Sequence, residues 1–134
     1  MVKTKLGPSE IEGIGLFADQ DIKKGDVVWK EDDGLSYLVF TEEQWRKMEK
    51  EFSPETFRQI KRYSFKYKAT GNYELLLDDT RHMNHSDNSN TIVLGENGEG
   101  DDIAARDIKK GEEITCNYKS FYAPDYFEEI INFK

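Results

Sequence analysis

Residues 81–90, RHMNHSDNSN, contain both histidines of the chain together with asparagine, aspartate and serine side chains. Imidazole, carboxylate and hydroxyl groups this close together suit three kinds of chemistry. They can ligate a metal ion, pair a nucleophile with its base, or shape a loop whose backbone binds a ligand. Each kind of site requires a different arrangement of partners.

A metal site would use His82, His85 and Asp87, because imidazole and carboxylate together suit zinc or iron. The histidines are at positions i and i+3, but a stable site needs about three or four converging ligands. Neither an HExxH pattern nor a facial-triad spacing is present. The pattern disfavours a metal, and we expect none.

Nucleophilic catalysis would pair Ser86 with His85, but neighbours in sequence rarely face each other and no G-x-S-x-G elbow exists. The third interpretation is a polar loop. Asn, Asp and Ser bond their own backbone, so such a run can present N–H and C=O groups to a cofactor. Composition alone favours a plain surface loop over a cofactor loop.

At 134 residues the chain has the length of one domain, and we expect a single domain over 1–134. Its net charge of −8 disfavours direct nucleic-acid binding and suits a basic partner, or simply keeps the protein in solution. The single Cys116 can form neither an internal disulfide nor a thiolate zinc site. Without a signal peptide or an apolar run of roughly 20 residues, an intracellular protein, cytoplasmic or nuclear and without a membrane partner, is expected.

Residue patterns predict a chain rich in strands with a few short helices. A helix is predicted from 42 to about 52 after a capping box of Thr41 and Gln44, another after Ser53 and a third from Pro124. Strands are predicted at 15–18, 27–29, 37–40, 73–77, 91–94, 103–105 and 114–116. A basic patch is interpreted as a solvated face rather than a nucleic-acid site; its members are Arg58, Lys61, Arg62, Lys66 and Lys68.

One phrase occurs twice, as ADQDIKKGD at 18–26 and AARDIKKGEE at 104–113. Copies so far apart in so short a chain do not form a stacked solenoid. We predict two similar tight turns, in which Gly25 and Gly111 supply the positive φ and the flanking charges stay in water.

Three segments, in order, are similar to the signature blocks of the SET domain family of protein lysine methyltransferases. They are EGIGLFADQDIKKGDVV at 12–28, RHMNHSDNSN at 81–90 and GEEITCNY at 111–118. Together they frame most of the chain. The repeated phrase is then explained, because the family carries a similar turn in its first and last blocks.

The resemblance implies a mostly β structure with short helices: a β-clip of small sheets with a C-terminal pseudoknot and a terminal helix. It implies S-adenosylmethionine as cofactor and a closing segment at 119–134 in place of the cysteine-rich segment of some members. Glycines suit a close backbone approach to the cofactor. The implied cofactor contacts are Gly13, Ile14, Gly15, Arg81, Asn84, His85, Phe121 and Tyr122.

By the same resemblance Tyr118 is the catalytic tyrosine, and Trp29, Val93 and Tyr126 line the substrate channel with it. Methyl transfer needs a neutral lysine amine positioned in a dry channel and needs no metal. The implied substrate is a lysine in a basic protein segment, of a histone or another basic protein. Acidic residues outside the blocks are expected to attract it; they are Glu31, Asp32, Asp33, Glu96, Glu99, Asp101 and Asp102.

The sequence departs from common family patterns at Asp87, Ser89 and Asn117, which leave the implied cofactor contacts in place. Two alternatives stay open: an inactive SET-fold module that binds basic peptides, and a small oxygenase that uses His82, His85 and Asp87. The presence of Tyr118, Asn84 and His85 favours the methyltransferase. A homodimer is compatible with so small an enzyme.

Overall fold

The computed structural model describes residues 1–32 and 35–133. This part of the chain forms small sheets connected by short helices, as the sequence predicts. The helices are α1 Glu42–Glu51, α2 Pro54–Tyr63 and α3 Pro124–Phe133, with 3-10 turns at Asp79–His82 and Tyr118–Ser120. The strands are β1 Thr4–Pro8, β2 Ile14–Ala18, β3 Val27–Trp29, β4 Tyr37–Phe40, β5 Ser64–Lys66, β6 Tyr73–Leu76, β7 Asn84–His85, β8 Thr91–Val93, β9 Asp102–Ala104 and β10 Glu113–Cys116.

Strands β1, β5 and β7 were not predicted. Strand β1 carries a lysine, a glycine and a proline, and β7 is only two polar residues long. Such segments lack the alternation of apolar and polar side chains that marks a strand in sequence. They are extended because neighbouring strands pair with them.

The three sheets have the strand orders β1-β2-β10-β7, β3-β9-β8 and β4-β6-β5. Strand β10 runs antiparallel to β2 and parallel to β7. The last strand of the chain is therefore enclosed between two earlier segments. This crossing agrees with the predicted C-terminal pseudoknot.

The helices pack on the sheet β4-β6-β5. The predicted capping box is confirmed: the Thr41 hydroxyl accepts the Gln44 N–H at 3.2 Å, and the Gln44 side chain accepts the Thr41 N–H at 2.8 Å. Trp45 of α1 is buried, stacks on Tyr73 of β6 with ring centroids 4.1 Å apart, and meets Phe57 of α2. None of the helices in the described part of the chain combines the length and apolar character needed to cross a bilayer.

The two repeated phrases lie against each other as one clasp. Ile22 and Ile108 exchange backbone hydrogen bonds, 2.8 Å in each direction, and both are 1% exposed. The predicted turns are confirmed, because Gly25 and Gly111 have φ values of 90° and 94°. Each glycine N–H donates to the alanine carbonyl that opens the other copy, again at 2.8 Å.

Aspartate side chains complete the clasp symmetrically. The Lys24 N–H donates to the Asp107 carboxylate at 2.9 Å, and the Lys110 N–H donates to the Asp21 carboxylate at 3.0 Å. Each copy therefore closes the turn of the other. The repeat joins the segment after β2 to the segment before β10. It therefore helps to position β10 beside β2 in the pseudoknot.

We expect Ile22→Ala and Ile108→Ala each to lower the free energy of unfolding by about 2–4 kcal/mol, because each leaves a cavity in the buried clasp. Urea denaturation measures this. The exposed Ile92→Ala, on β8, is the matched control and should change the free energy by less than about 0.5 kcal/mol. Losses as small as the control's at both clasp positions would contradict the assigned role.

Candidate functional site

Three cavities follow one another through the domain. We call them the Trp29 groove, the Tyr118 chamber and the Gly13 cavity, with volumes of about 330, 40 and 120 Å³. The groove and the chamber share wall residues Phe65, Leu76, Asp102 and Phe121. The chamber and the Gly13 cavity share Arg62, Tyr63 and Arg81. The Tyr118 chamber therefore lies between two larger spaces that share no lining residue with each other.

The Trp29 groove lies between the sheets β3-β9-β8 and β4-β6-β5. Trp29 and Val93, both predicted for the substrate channel, contribute to its wall from β3 and β8, where each pairs with Asp102 of β9. The Trp29 indole N–H is buried and has no hydrogen-bond partner in the described part of the chain. A donor of this kind is available to a bound ligand.

Carboxylates dominate the charge of the Trp29 groove. Its described wall includes no lysine or arginine, but it does include Glu31, Glu74, Glu99 and Asp102. Of the acidic residues expected to attract a basic substrate, Glu31, Glu99 and Asp102 thus line the groove, whereas Asp33 lies outside the described residues.

Tyr118 is held by hydrogen bonds at both ends. Its hydroxyl donates to the Met83 carbonyl at 2.7 Å and is also hydrogen-bonded to the Tyr122 hydroxyl. Its backbone N–H donates to Nδ1 of His85 at 3.1 Å. Burial raises the pKa of Tyr118 well above its usual range, so its hydroxyl stays protonated at neutral pH.

His85 positions Tyr118 and lines none of the three cavities. Its Nε2 lies 3.2 Å from the Asp87 carboxylate, and its ring packs against Tyr118 and Phe127. His82 instead packs edge-on against Tyr63. Within residues 1–32 and 35–133, no group of three or more histidine, cysteine, aspartate or glutamate side chains is arranged to hold a metal. The metal interpretation therefore has no geometric support.

Asn84 lies at the wall of the Gly13 cavity and is tied into a buried polar network. Its amide nitrogen is 3.0 Å from the Ser9 hydroxyl, the Glu12 carbonyl and the Glu113 carboxylate. The Ser9 hydroxyl also donates to Glu113 at 2.7 Å. The network joins the turn after β1 to β7 and β10, so Asn84 holds the loop that carries Gly13.

Gly13 and Gly15 of the first block differ in their surroundings. A Cβ at Gly15 would lie 2.3 Å from the Glu113 carboxylate, so the missing side chain makes room for that network. This contact explains the glycine at position 15 without the close approach of a cofactor that the resemblance implies. Gly13 has a φ of 50° and lines its cavity with Ile14, so this part of the block faces open space.

The Gly13 cavity contains charges of both signs. Arg62 from the end of α2 pairs with Glu12, and Arg81 lies over the Tyr63 ring at 5.3 Å. Arg81 was predicted here from the family block. Arg62 was interpreted as part of a solvated face, because nothing in a local pattern indicates that the end of α2 meets the first block.

The aromatic residues of the closing segment lie away from the Gly13 cavity. Phe121 lies between the groove and the chamber, and Tyr122 lines the chamber, whereas neither lines the Gly13 cavity. Tyr126 is outside all three cavities. Its hydroxyl donates to the carbonyls of Lys61 and Ser64, each at 3.3 Å, and it packs on Tyr73.

Asp102 is a half-buried carboxyl at the junction of the groove and the chamber. Burial, together with repulsion from Asp101 and Asp78, raises its pKa from 3.8 to about 7. The charged form is disfavoured because the surrounding protein replaces the water that would solvate it. No local sequence pattern distinguished Asp102 from the other acidic residues, since its environment is created by two sheets.

We expect Asp102→Asn to stabilise the protein more at pH 8 than at pH 5, because stability is lost progressively between about pH 4 and pH 7. The raised pKa means that the folded protein holds this proton more tightly than the unfolded chain, so stability is lost as pH rises towards 7. Removing the charge should raise the free energy of unfolding by about 2–4 kcal/mol at pH 8. Urea denaturation at both pH values tests this, with the exposed Asp125→Asn as control; equal effects at both pH values would contradict it.

The chain matches the family model of the SET domain over residues 13–119. No curated protein is significantly similar to it in sequence. Among solved structures, a protein of Plasmodium falciparum described as a candidate histone methyltransferase is 22% identical with a TM-score of 0.57. That alignment covers 88% of this chain and 94% of the other.

Two further structures belong to larger proteins. The Neurospora SET domain protein DIM-5, a histone lysine methyltransferase, is 23% identical with a TM-score of 0.60, over 88% of this chain and 52% of that chain. The complex ctPRC2, in an autoinhibited conformation bound to S-adenosylmethionine, is 24% identical with a TM-score of 0.63, over 98% of this chain and 17% of that chain. The fold and the extent of the family match lead to one conclusion: this chain belongs to the SET domain family.

Proposed function

We propose that this protein transfers a methyl group from S-adenosylmethionine to the side-chain amine of lysine in a basic protein segment. The observation that carries the proposal is the position of Tyr118 between an acidic groove and a cavity that contains guanidinium groups. Two reactants can thus approach one buried hydroxyl from two spaces that are lined by different charges. Family membership and similarity to histone lysine methyltransferases support the same chemistry.

The Gly13 cavity suits the amino-acid end of the cofactor. Its Arg81 guanidinium can pair with a carboxylate, and its Glu12 carboxylate and backbone carbonyl can bind an ammonium group. Gly13 can adopt its positive φ because it has no side chain. S-adenosylmethionine, when bound there, supplies a methyl group on a positively charged sulfur.

The Trp29 groove suits a lysine side chain and its basic neighbours. The carboxylates of Glu31, Glu74 and Glu99 attract positive charge. Aromatic rings, including Trp29, Tyr37 and Tyr67, can cover the aliphatic stem and contact the ammonium group. The small Tyr118 chamber has room for little more than one small group, so it excludes bulk water from the reacting amine.

Tyr118 acts as a neutral, fixed hydroxyl. Its bonds to Met83 and Tyr122 and its raised pKa keep it protonated, so it positions the amine and does not remove a proton. Holding two reactants in line is worth several orders of magnitude in rate. The polar oxygens of Tyr118 and Met83 provide the fixed points for that alignment.

We expect Tyr118→Phe to lower methyl transfer by about 100-fold or more, because the amine loses its oxygen partner. The measurement is transfer of labelled methyl from S-adenosylmethionine to core histones and lysine-containing histone peptides. Tyr126→Phe is the matched control, since it removes another buried hydroxyl outside the cavities. No transfer by the wild type to any basic protein, with no cofactor binding by calorimetry, would favour an inactive module that binds basic peptides.

We expect Arg81→Ala to weaken S-adenosylmethionine binding by about tenfold, because one charged hydrogen bond is lost. Isothermal titration calorimetry measures this directly. Lys119→Ala removes an exposed cation outside the Gly13 cavity and serves as the charge-matched control. Unchanged cofactor affinity in Arg81→Ala would contradict the assignment of the Gly13 cavity as the cofactor site.

A further inference from the structure

The proposed reaction requires a neutral amine, but lysine in water has a pKa of about 10.4 and is protonated at neutral pH. At neutral pH, a group beside the amine that accepts a proton therefore increases the fraction of neutral amine. Burial raises the pKa values of Tyr118 and Tyr122, so both already hold their protons. Arg62 and Arg81 are permanent cations and cannot accept one.

Asp102 is the one carboxyl among the described residues that line the Tyr118 chamber. It also lines the Trp29 groove, so it lies on the route that a lysine side chain takes from the groove towards Tyr118. No other described residue donates a hydrogen bond to its side chain or forms an ion pair with it. An acceptor without a partner is thus present where the ammonium group arrives.

We propose that Asp102 accepts the proton of the target lysine before methyl transfer; this inference rests on the proposed function. One N–H bond of the ammonium breaks, its electron pair stays on nitrogen, and the proton bonds to a carboxylate oxygen of Asp102. An ammonium and a carboxylate become an amine and a carboxylic acid. The free pair on nitrogen then forms the new N–C bond, and the C–S electron pair stays on the departing sulfur.

The environment of Asp102 favours this exchange. Lysine and an ordinary aspartate differ by more than six in pKa, whereas a carboxyl with a pKa of about 7 reduces that difference to about three. Burial of the amine reduces it further, because a dry site disfavours both charged forms. After the reaction Asp102 can return its proton to water in the Trp29 groove, since its pKa is close to neutral pH.

Other titratable groups face Asp102 from every surrounding element. Of these titratable groups, Asp101 and Asp78 raise the pKa of Asp102 by charge repulsion. Those that line the groove and chamber or act on Asp102 from nearby are Glu31, Tyr37, Arg62, Tyr63, Tyr67, Glu74, Asp78, Arg81, Glu99, Asp101, Cys116, Tyr118 and Tyr122.

The test is the pH profile of methyl transfer by full-length protein to a lysine-containing histone peptide, from pH 6 to 9.5. For the wild type, kcat/KM should rise up to about pH 7 and then level off. Asp102→Asn should be about 100-fold slower at pH 7. Its rate should keep rising about tenfold per pH unit, so that the deficit falls below about fivefold at pH 9.5.

Three variants sharpen the result. Asp102→Glu should recover part of the activity at pH 7, because it restores a carboxyl. Asp101→Asn should move the acid limb of the wild-type profile to lower pH, because it removes a charge that raises the pKa of Asp102. Glu74→Gln, which removes a groove carboxyl outside the chamber, should leave the position of that limb unchanged.

A deficit in Asp102→Asn that is equal at every pH, or no deficit, would overturn the role of Asp102 while leaving lysine methylation established. Absence of transfer by the wild type at every pH would overturn the proposed function and this inference together. Loss of folding does not confuse the outcomes, because Asn matches Asp in shape and calorimetric binding of S-adenosylmethionine reports an intact domain.

Discussion

The pairing of β10 between β2 and β7 is the constraint on which the site depends. Its parallel register sets Thr115 beside Asn84 and Cys116 beside His85. Tyr118 follows directly, so its backbone N–H meets His85 and its hydroxyl meets the Met83 carbonyl. A shift of the strand by one residue would reverse the faces of its side chains and move Tyr118 out of the chamber. The Tyr118 hydroxyl is therefore placed by strand pairing, and His85 of the central block contributes by accepting the Tyr118 backbone N–H.

Polar contacts, buried or part-buried, help to specify this pairing. The Asn90 side chain accepts the Thr115 N–H at 2.9 Å and donates to the Glu113 carbonyl at 2.8 Å, while Asn84 and Ser9 hold the Glu113 carboxylate. A shifted register would leave several of these groups unpaired away from water, and each would cost about 1–3 kcal/mol. The clasp of Ile22 and Ile108 adds an apolar element at the other end of the same strand. The polar loop of the second block and the repeated turns therefore both hold β10 in its register.

The distribution of charge around Tyr118 agrees with the direction of the proposed reaction. The groove has carboxylates and aromatic rings without a described lysine or arginine, and the Gly13 cavity brings two guanidinium groups next to Glu12. A basic substrate is attracted to the first and repelled by part of the second, so each reactant is directed to its own side. The net charge of −8 has the sign of the groove. Asp102 lies where the two environments meet and is the one carboxyl among the described residues that line the chamber. Burial and the nearby carboxylates of Asp101 and Asp78 raise its pKa.

The sequence by itself determined the family, most of the strands and helices, the capping box and the two glycine turns, because these depend on short patterns of neighbouring residues. It also indicated Tyr118, Arg81, Trp29 and Val93 as residues near a site. The tertiary structure decided which side chains meet there. Arg62 and Asp102 line the cavities although their elements carry no motif. Phe121 and Tyr122 line the chamber and not the Gly13 cavity. Tyr126 packs inside the domain, outside all three cavities. The raised pKa of Asp102 likewise depends on two sheets that close around it, and burial by distant segments leaves no trace in a local pattern.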